Sequence, residues 1–490
     1  MKKVSKVLSI LLSVVLVISS FYLLYQVIRL NVLPSKFLFP LTIGVVVLDA
    51  IFILLLIYFS KNVVSKIICI VLTLFICVAS CMGGYYISKT QNVLSSITNV
   101  AKHAKNTVSV IVKESSSIKN KSQLNGVSVG SLRLNEQGSK KALKELSNEG
   151  IVLNQTEYDS MTALLEAFYN GEVDSIIINE SSRSQILDME AYSNFDSNTR
   201  VVYQTSYKVK NNDSATSVSD ITSKPFNVLI SGSDTRGGFD ENGRSDVIMI
   251  ATVNPKTHTI LLTSVPRDFY VTTACDAGDG CMQGALDKIT HTGIHGTNTT
   301  KRTVEQLLGI EINYTFKVGF DTVTELVDVL GGVDVYVEPG YATTTSEFSV
   351  HEGVNHLNAQ QALAFARERY SYTEGDRQRT KNQQQVLMGI VKEATKPSVI
   401  TNYAAIMDTM ANTFSTTMSN EEITDLIKYQ LNNNPTWKME QYMVDGTGDT
   451  LMCAELGDAA SVMVPDQSTV KMAKDKINAV LAGKSSEDVK

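Results

Sequence analysis

The stretch from Phe226 to Asp268, FNVLISGSDTRGGFDENGRSDVIMIATVNPKTHTILLTSVPRD, concentrates the residues that could do chemistry. Asp234 and Asp246 are carboxylates, Arg236, Arg244 and Arg267 are guanidinium groups, and Asp268 closes the run. Two neighbouring carboxylates repel each other unless a cation sits between them. Hard divalent ions such as Mg2+ take carboxylate oxygens and commonly keep phosphate oxygens as further ligands. Arginine forks bind phosphate through paired, charge-assisted hydrogen bonds. The combination points to a Mg–diphosphate site, set against the plainer reading of surface ion pairs around a glycine-rich turn. A second charged stretch, LNAQQALAFARERYSYTEGDRQRTKNQQQVL, carries Arg367, Arg369 and Arg379. Four of the five cations from Arg367 to Lys381 are arginine, a bias that favours bidentate recognition over a solvated basic loop, which would take lysine freely.

Positioning these groups falls to short apolar runs. Phe226–Ile230, Val247–Val253 and Thr259–Val265 have strand length and strand composition. The turn signal Asn254-Pro255-Lys256-Thr257 folds the last two into an antiparallel hairpin, which brings Arg244 and Asp246 beside Pro266-Arg267-Asp268. Further along, Thr299–Leu308 reads as a helix, Ile310–Val318 as a strand, a helix follows from Asp321, and Val333–Glu338 alternates again. Ala359–Ala366 is helical. Arg367 and Arg369 are then expected in extended chain on one shared face, Asp376, Arg377 and Arg379 after a Glu374-Gly375 turn, and a helix from Asn382 to Ala394. The sum is an α/β core, a central sheet flanked by helices. The apolar faces at Val304–Leu308 and Val386–Val391 are each candidates for a lipid cavity or for plain core. His291 and His295 stand four apart, but Gly293 between them and the lack of a repeated acidic partner argue against a metal pair.

The 490 residues leave room for two or three domains, and a net charge of −6 argues against a nucleic-acid-binding protein. Three apolar spans, near Val7–Ile28, Phe37–Phe59 and Ile67–Ile87, each have the roughly twenty residues a bilayer core requires. Asp49 in the second is expected to face the other helices. Lys2, Lys3 and Lys6 before the first span, with Lys61 and Lys66 between the second and third, place the N-terminus in the cytoplasm and everything after about Ser88 outside the cell. Residues 1–89 are thus a membrane anchor. Residues 100–212 read as a small α/β accessory domain similar to one lobe of an extracellular solute-binding protein, 213–224 as a linker, and 225–480 as the catalytic domain. Cys275 and Cys281 bracket a short Asp/Gly loop, and a disulfide there is compatible with an extracellular location.

The motifs SGSDTR, GRSDVIMI, SVPRDFYV, LVDVLGGVDV, LNAQQALAFARER and GDRQRTKNQQ, in this order, resemble the LytR-CpsA-Psr family over about residues 225–395, and more weakly to about 475. The three spans and the extra outer domain resemble its streptococcal-type capsule and exopolysaccharide members. The resemblance implies transfer of a glycopolymer from a polyprenyl diphosphate carrier to peptidoglycan at the outer face of the cytoplasmic membrane, beside other capsule-synthesis membrane proteins and without nucleic acid. It implies Mg2+, with Mn2+ as the alternative, on Asp234 and Asp246. It implies diphosphate binding by Arg236, Arg244, Arg267, Arg367, Arg369 and Arg379, and by Asn382 and Gln383 at a polar helix start, although many members have arginine where this chain has Asn382. Asp234, Asp246 and Asp268 are all open as the general base, with Arg267 beside them. Two rival readings stand: an extracytoplasmic regulator or attenuator of exopolysaccharide synthesis, and a diphosphatase that uses water where the transferase uses a sugar hydroxyl.

Overall fold

The computed structural model describes residues 2–59, 62–100, 103–133, 136–210, 215–233, 241–276, 280–396, 405–406, 409 and 414–489. The chain divides into two compact units. The first comprises Met1–Ser96, Glu393–Ala411 and Ser419–Thr436, the second Ile97–Lys392, Asn412–Met418 and Trp437–Lys490. In the first unit the stretches Lys6–Leu30, Ser35–Tyr58 and Val63–Val93 are helices long and apolar enough to cross a membrane. Asp49, the one acidic residue in these spans, is buried, and Ser20 Oγ donates to its Oδ1 at 2.9 Å. A charge inside an apolar span is tolerated when it faces a polar partner on a neighbouring helix.

The second unit opens with a five-stranded sheet in the order Asn154–Tyr158, Ser128–Leu132, Ser175–Asn179, His103–Lys113, Thr199–Lys210. Its first three strands are parallel, with the helices Glu136–Asn148 and Met161–Asn170 as crossovers. Strand alternation splits the apolar residues between two faces. Ile111, Ile176 and Ile178 pack on Leu164 and Phe168 of one helix, while Val108, Val110 and Ile177 pack on Ala142 and Leu146 of the other. Ser160 caps the second helix by accepting from the Ala163 amide, and Gly171 ends it at φ +80°. The strand Asn154–Tyr158 gave no signal in the sequence because NQTEY is a polar, exposed edge.

A six-stranded mixed sheet follows, in the order Phe414–Thr416, Tyr314–Gly319, Phe226–Ser233, Val247–Asn254, Thr259–Ser264, Lys438–Met443. The two central pairings, between the strands that start at Phe226, Val247 and Thr259, are antiparallel as the hairpin reading expects. Asn254 Oδ1 fixes the turn by accepting from the amides of Lys256 and Thr257 at 3.1 and 3.3 Å. One face of the sheet buries Leu229, Ile250 and Leu261 against Val304, Leu308, Val470 and Ile477. Each such side chain contributes about 1.5–3 kcal/mol by leaving water. Val304–Leu308 is therefore core. The other face meets the helices Phe320–Leu330, Ala359–Arg367 and Asp376–Ala394.

Candidate active site

Register builds the site. Gly232 lies opposite Val247, and the Asp246 amide donates to Gly232 O at 2.8 Å. A Cβ on Gly232 would lie 2.7 Å from Val247 Cβ, so only glycine lets the two strands approach here. On the far side Met249 pairs with Ser264, and the Val265 amide donates to Ile248 O at 2.9 Å. The chain after Val265 thus returns alongside Asp246, as the hairpin predicts. Arg267 Nη1 donates to Asp246 Oδ1 at 2.8 Å, and Arg244 Nη2 lies 3.8 Å from Asp246 Oδ2. Asp268 stands 3.8 Å from Arg267 Nε and accepts from Lys288 Nζ at 3.4 Å. The turn Ile289–His295 is laced beneath this edge: the Thr290 amide donates to Arg267 O at 3.0 Å and the Ser245 amide to Thr290 O at 2.9 Å. Gly293 sits where a Cβ would come 2.5 Å from Gly243 O, which makes that packing possible.

Asp234 and Arg236 lie outside the described residues. Among the described ones, Arg379 joins the cluster from a different element than expected. Gly375, at φ +54°, turns the chain sharply, and the helix starts at Asp376 instead of Asn382. Asp376 accepts an ion pair from Arg379 in the first turn, where a helix favours negative charge. Burial pushes the Arg379 guanidinium below its ordinary value. Asp376 opposes that, while Arg267 and Arg369 add repulsion. Burial likewise works against the charge on Arg267, but Asp246 and Asp268 outweigh it and hold it above its ordinary value. Arg369 is half-buried and borders the same space, with its guanidinium stacked over Tyr370 at 4.7 Å. Arg367 is exposed as the last residue of its helix, and the chain is extended at Glu368, so the helix ends where the sequence reading puts its end.

The diphosphate contact expected of Asn382 is not met by its placement. Asn382 is fully buried, with Nδ2 donating to Phe365 O at 3.0 Å and Oδ1 accepting from Gln378 at 2.9 Å. It clamps two helices together. Gln383 borders an apolar cleft lined by Ile230, Val247, Met249, Val323, Val386 and Ile390. Its lining includes Gly232 and Val247, at the strand end that also carries Asp246. The two apolar faces left open by the sequence are thus distinct, since Val386–Val391 contributes to a cleft and Val304–Leu308 to core.

The Nε atoms of Arg244, Arg267 and Arg379 are all buried without a hydrogen-bond partner among the described residues. A buried unmade hydrogen bond at a charged group costs at least about 1–3 kcal/mol. Three such donors near one edge leave hydrogen-bonding capacity that an acceptor with several oxygens can use. Sequence reasoning also missed a buried pair, Asp287 and His291, at the rim. His291 Nδ1 donates to Asp287 Oδ1 at 2.7 Å, which leaves Nε2 as the acceptor of the ring. Asp287 Oδ2 accepts from the Glu455 amide at 2.6 Å. The signal was the four-residue spacing of Asp287 and His291. His295 instead meets Glu455 Oε2 at 2.9 Å, so the two histidines serve different carboxylates. Cys275 and Cys281 form a disulfide with a Cα–Cα distance of 6.2 Å.

Fold and site together define an α/β protein with a cluster of buried arginines near an apolar cleft, in one chain with helices of membrane-spanning length. The chain belongs to the LytR-CpsA-Psr family, whose model matches residues 191–479. It is 31% identical over 241 residues to the polyisoprenyl-teichoic acid–peptidoglycan teichoic acid transferase TagU of Bacillus cereus, covering 49% of this chain and 76% of that one. The transferase of the same name from Bacillus subtilis is 34% identical over 203 residues, covering 41% and 63%. A crystal structure of B. subtilis TagU aligns at a TM-score of 0.41 with 28% identity, over 53% of this chain and 97% of that one.

Proposed function

We propose that the protein transfers a capsular or other cell-wall glycopolymer from a polyprenyl diphosphate carrier to peptidoglycan. The observation that carries this reading is the set of Nε donors on Arg244, Arg267 and Arg379 that have no hydrogen-bond partner among the described residues, near a strand end, Gly232–Val247, that also lines an apolar cleft. A diphosphate ester of a lipid has both features: many acceptor oxygens and an apolar tail. The cleft, at ≈ 80 Å³, is well below the roughly 300–1,000 Å³ of ordinary ligand pockets, so it would have to widen to admit a prenyl chain. The relatives' names, which specify a polyisoprenyl-linked donor and a peptidoglycan acceptor, support the same chemistry.

In the reaction a sugar hydroxyl of the acceptor attacks the phosphorus that bears the glycan. A new P–O bond forms, the bond to the bridging oxygen breaks, and polyprenyl phosphate departs with the electron pair. Arg267 and Arg379 neutralise the charge that grows on the leaving group, and being fixed in place they do so without reorganisation. The hydroxyl proton needs an acceptor. His291 is suited to take it at Nε2, because Asp287 holds the ring in one orientation from behind. Asp268 is the alternative, tied to Lys288 and Arg267.

A hard divalent cation fits the oxygens at this edge. Asp246 offers a carboxylate, and the sheet register places Ser233, whose buried Oγ has no partner among the described residues, opposite it. Mg2+ is commonly held by one or two carboxylates plus substrate phosphates. Asp234 and Asp246 would hold it, and it would supply further neutralisation of phosphate charge. The disulfide and the lysine pattern around the spans support an extracytoplasmic catalytic region. Protease added to intact protoplasts should then remove the chain after Ser88, and complete protection would refute that topology.

The functional test uses full-length protein in detergent with a lipid-linked saccharide, with and without peptidoglycan. Release of polyprenyl phosphate only when acceptor is present supports transfer. Equal release without acceptor would make the protein a diphosphatase, and no release under either condition would favour a regulatory role.

A further inference from the structure

Between the five-stranded sheet region and the arginine cluster lies a polar cavity of ≈ 860 Å³, large enough for several sugar units. One wall is Arg244, Arg267, Lys288 and Arg369. The opposite wall comes from the accessory helices and carries Gln185 and Glu166. Two contacts hold the walls together. Asp188 pairs with Arg244, and Leu456 O accepts from both the amide (3.1 Å) and the Oγ1 (3.0 Å) of Thr162.

Gln185 is the unexplained residue of this cavity. It is 2% exposed, and neither its Nε2 nor its Oε1 has a hydrogen-bond partner among the described residues. A buried primary amide left unpaired is costly, and satisfying it takes a ligand that both donates and accepts. A phosphate oxygen only accepts, so it could serve Nε2 but never Oε1. Glu166, Asp188 and Asp458 around the same wall also repel anions. A sugar hydroxyl, or the amide of an N-acetylated sugar, meets both requirements. Tyr192, held by stacking on Tyr169 at 5.4 Å and 25°, adds a rigid amphipathic ring to the wall.

We propose that the accessory region completes a glycan subsite over the diphosphate site, with Gln185 reading hydroxyl or N-acetyl groups of a neutral sugar. This rests on the transferase reading above. The sugar can come from the donor, next to its diphosphate, or from the acceptor strand, and the chemistry of recognition is the same.

The test measures binding to the full-length protein in detergent of three probes: farnesyl diphosphate, farnesyl diphosphate carrying one N-acetylhexosamine, and soluble uncrosslinked peptidoglycan strands. Gln185→Leu keeps the volume and removes an unpaired polar group, so its thermal midpoint should equal or exceed that of the wild type. It should weaken at least one of the two sugar-bearing probes by about tenfold or more, and leave farnesyl diphosphate unchanged. Loss confined to the glycosylated donor assigns the subsite to the donor, and loss confined to the strands assigns it to the acceptor. Should Gln185→Leu fail to fold, Glu166→Ala, on an exposed helix position, replaces it with the same expectation. Wild-type affinity for all three probes in the folded variant would overturn the proposal. Failure of the wild type to bind farnesyl diphosphate would instead overturn the transferase reading, and a sugar-specific loss would still stand.

Discussion

Arg183 in the accessory region and Arg379 in the arginine cluster are buried to a similar degree, with side chains 11% and 14% exposed. Their surroundings differ in kind. Arg183 spends every face of its guanidinium: Nε and Nη2 donate to the two oxygens of Glu180 at 2.6 and 2.8 Å, and Nη1 donates to Asp196 at 2.9 Å. Burial disfavours its charge, yet the two carboxylates outweigh that and hold it above the ordinary value. Arg379 has the carboxylate of Asp376 in contact and that of Asp246 further off, two cationic neighbours and an Nε without a hydrogen-bond partner among the described residues, and burial above all holds it below. A guanidinium whose bonds are complete within the protein is part of the fold. One left incomplete, beside other buried groups such as Ser233 and Gln378 that also lack hydrogen-bond partners among the described residues, keeps a donor for something that arrives.

The largest effect expected from this contrast is on stability. Arg183→Ala strands Glu180 and Asp196, and breaking a buried pair from one side costs about 3–5 kcal/mol. Urea unfolding, followed by hydrogen exchange in the strand Ser175–Asn179, should show a loss near the lower bound, since Glu180 keeps some solvent. A loss below about 1 kcal/mol would mean that saturation of hydrogen bonds is a poor guide here.

Arg379→Met should behave in the opposite way. It removes a charge that the protein solvates poorly, and Asp376 keeps the favourable N-terminal end of its helix. The unfolding midpoint should therefore hold or rise. Transfer should fall by roughly 10- to 100-fold, the worth of a charge-assisted contact made to the reacting phosphates. A stability loss with full activity would put Arg379 in the class of Arg183.

Arg267 stands between the two, since Asp246 satisfies one of its nitrogens while Nε has only Asp268 at 3.8 Å and no hydrogen bond among the described residues. Arg267→Lys keeps the charge and the pairing with Asp246 but loses the fork. Affinity for a prenyl diphosphate should weaken by about 1–2 kcal/mol with stability little changed. Calorimetric titration that gives wild-type affinity would rule out bidentate binding at this position.

What could be read from the chain follows the same physical division. Asp246, Arg267 and Asp268 were legible together because three β-branched runs and one turn fix a register, and register fixes neighbours. The positions that went astray depend on one backbone angle or on distant chain. The positive φ of Gly375 starts a helix six residues early and moves Arg379 onto it. Asn382 turns inward because the carbonyl of Phe365 needs a donor, a requirement visible only once the two helices meet. The Asp188–Arg244 pair joins residues 56 apart in regions that fold separately in any local reading, and no spacing announces it. The Asp287–His291 spacing was present, but local pattern cannot distinguish a helix-surface pair from a buried one.

The smallest effect concerns Asp287, the acidic counterpart of Arg183. Its Oδ1 accepts from His291 and from the Lys288 amide at 2.6 Å, and its Oδ2 accepts from the Glu455 amide. Burial raises the cost of its charge, but His291 and the two amides outweigh burial and hold the carboxyl below its ordinary 3.8. A group depressed in this way adds stability that is complete above the ordinary carboxylate value and drains away as pH falls through that value towards the folded one. Asp287→Asn keeps the shape and some of the hydrogen bonds but loses the charge, a cost of about 1 kcal/mol at neutral pH. Measured by urea unfolding, the gap between variant and wild type should be constant from pH 7 to about 5 and close below about 4. The same variant sharpens the reading of His291. If Asp287 only stabilises the fold, the pH profile of kcat for transfer should keep its shape. If it orients a proton acceptor, the profile should shift as well as fall, because the imidazole loses the partner that fixes which nitrogen is free. An unchanged pH profile beside a 1 kcal/mol stability loss would leave Asp287 as scaffold and return Asp268 to first place as the base.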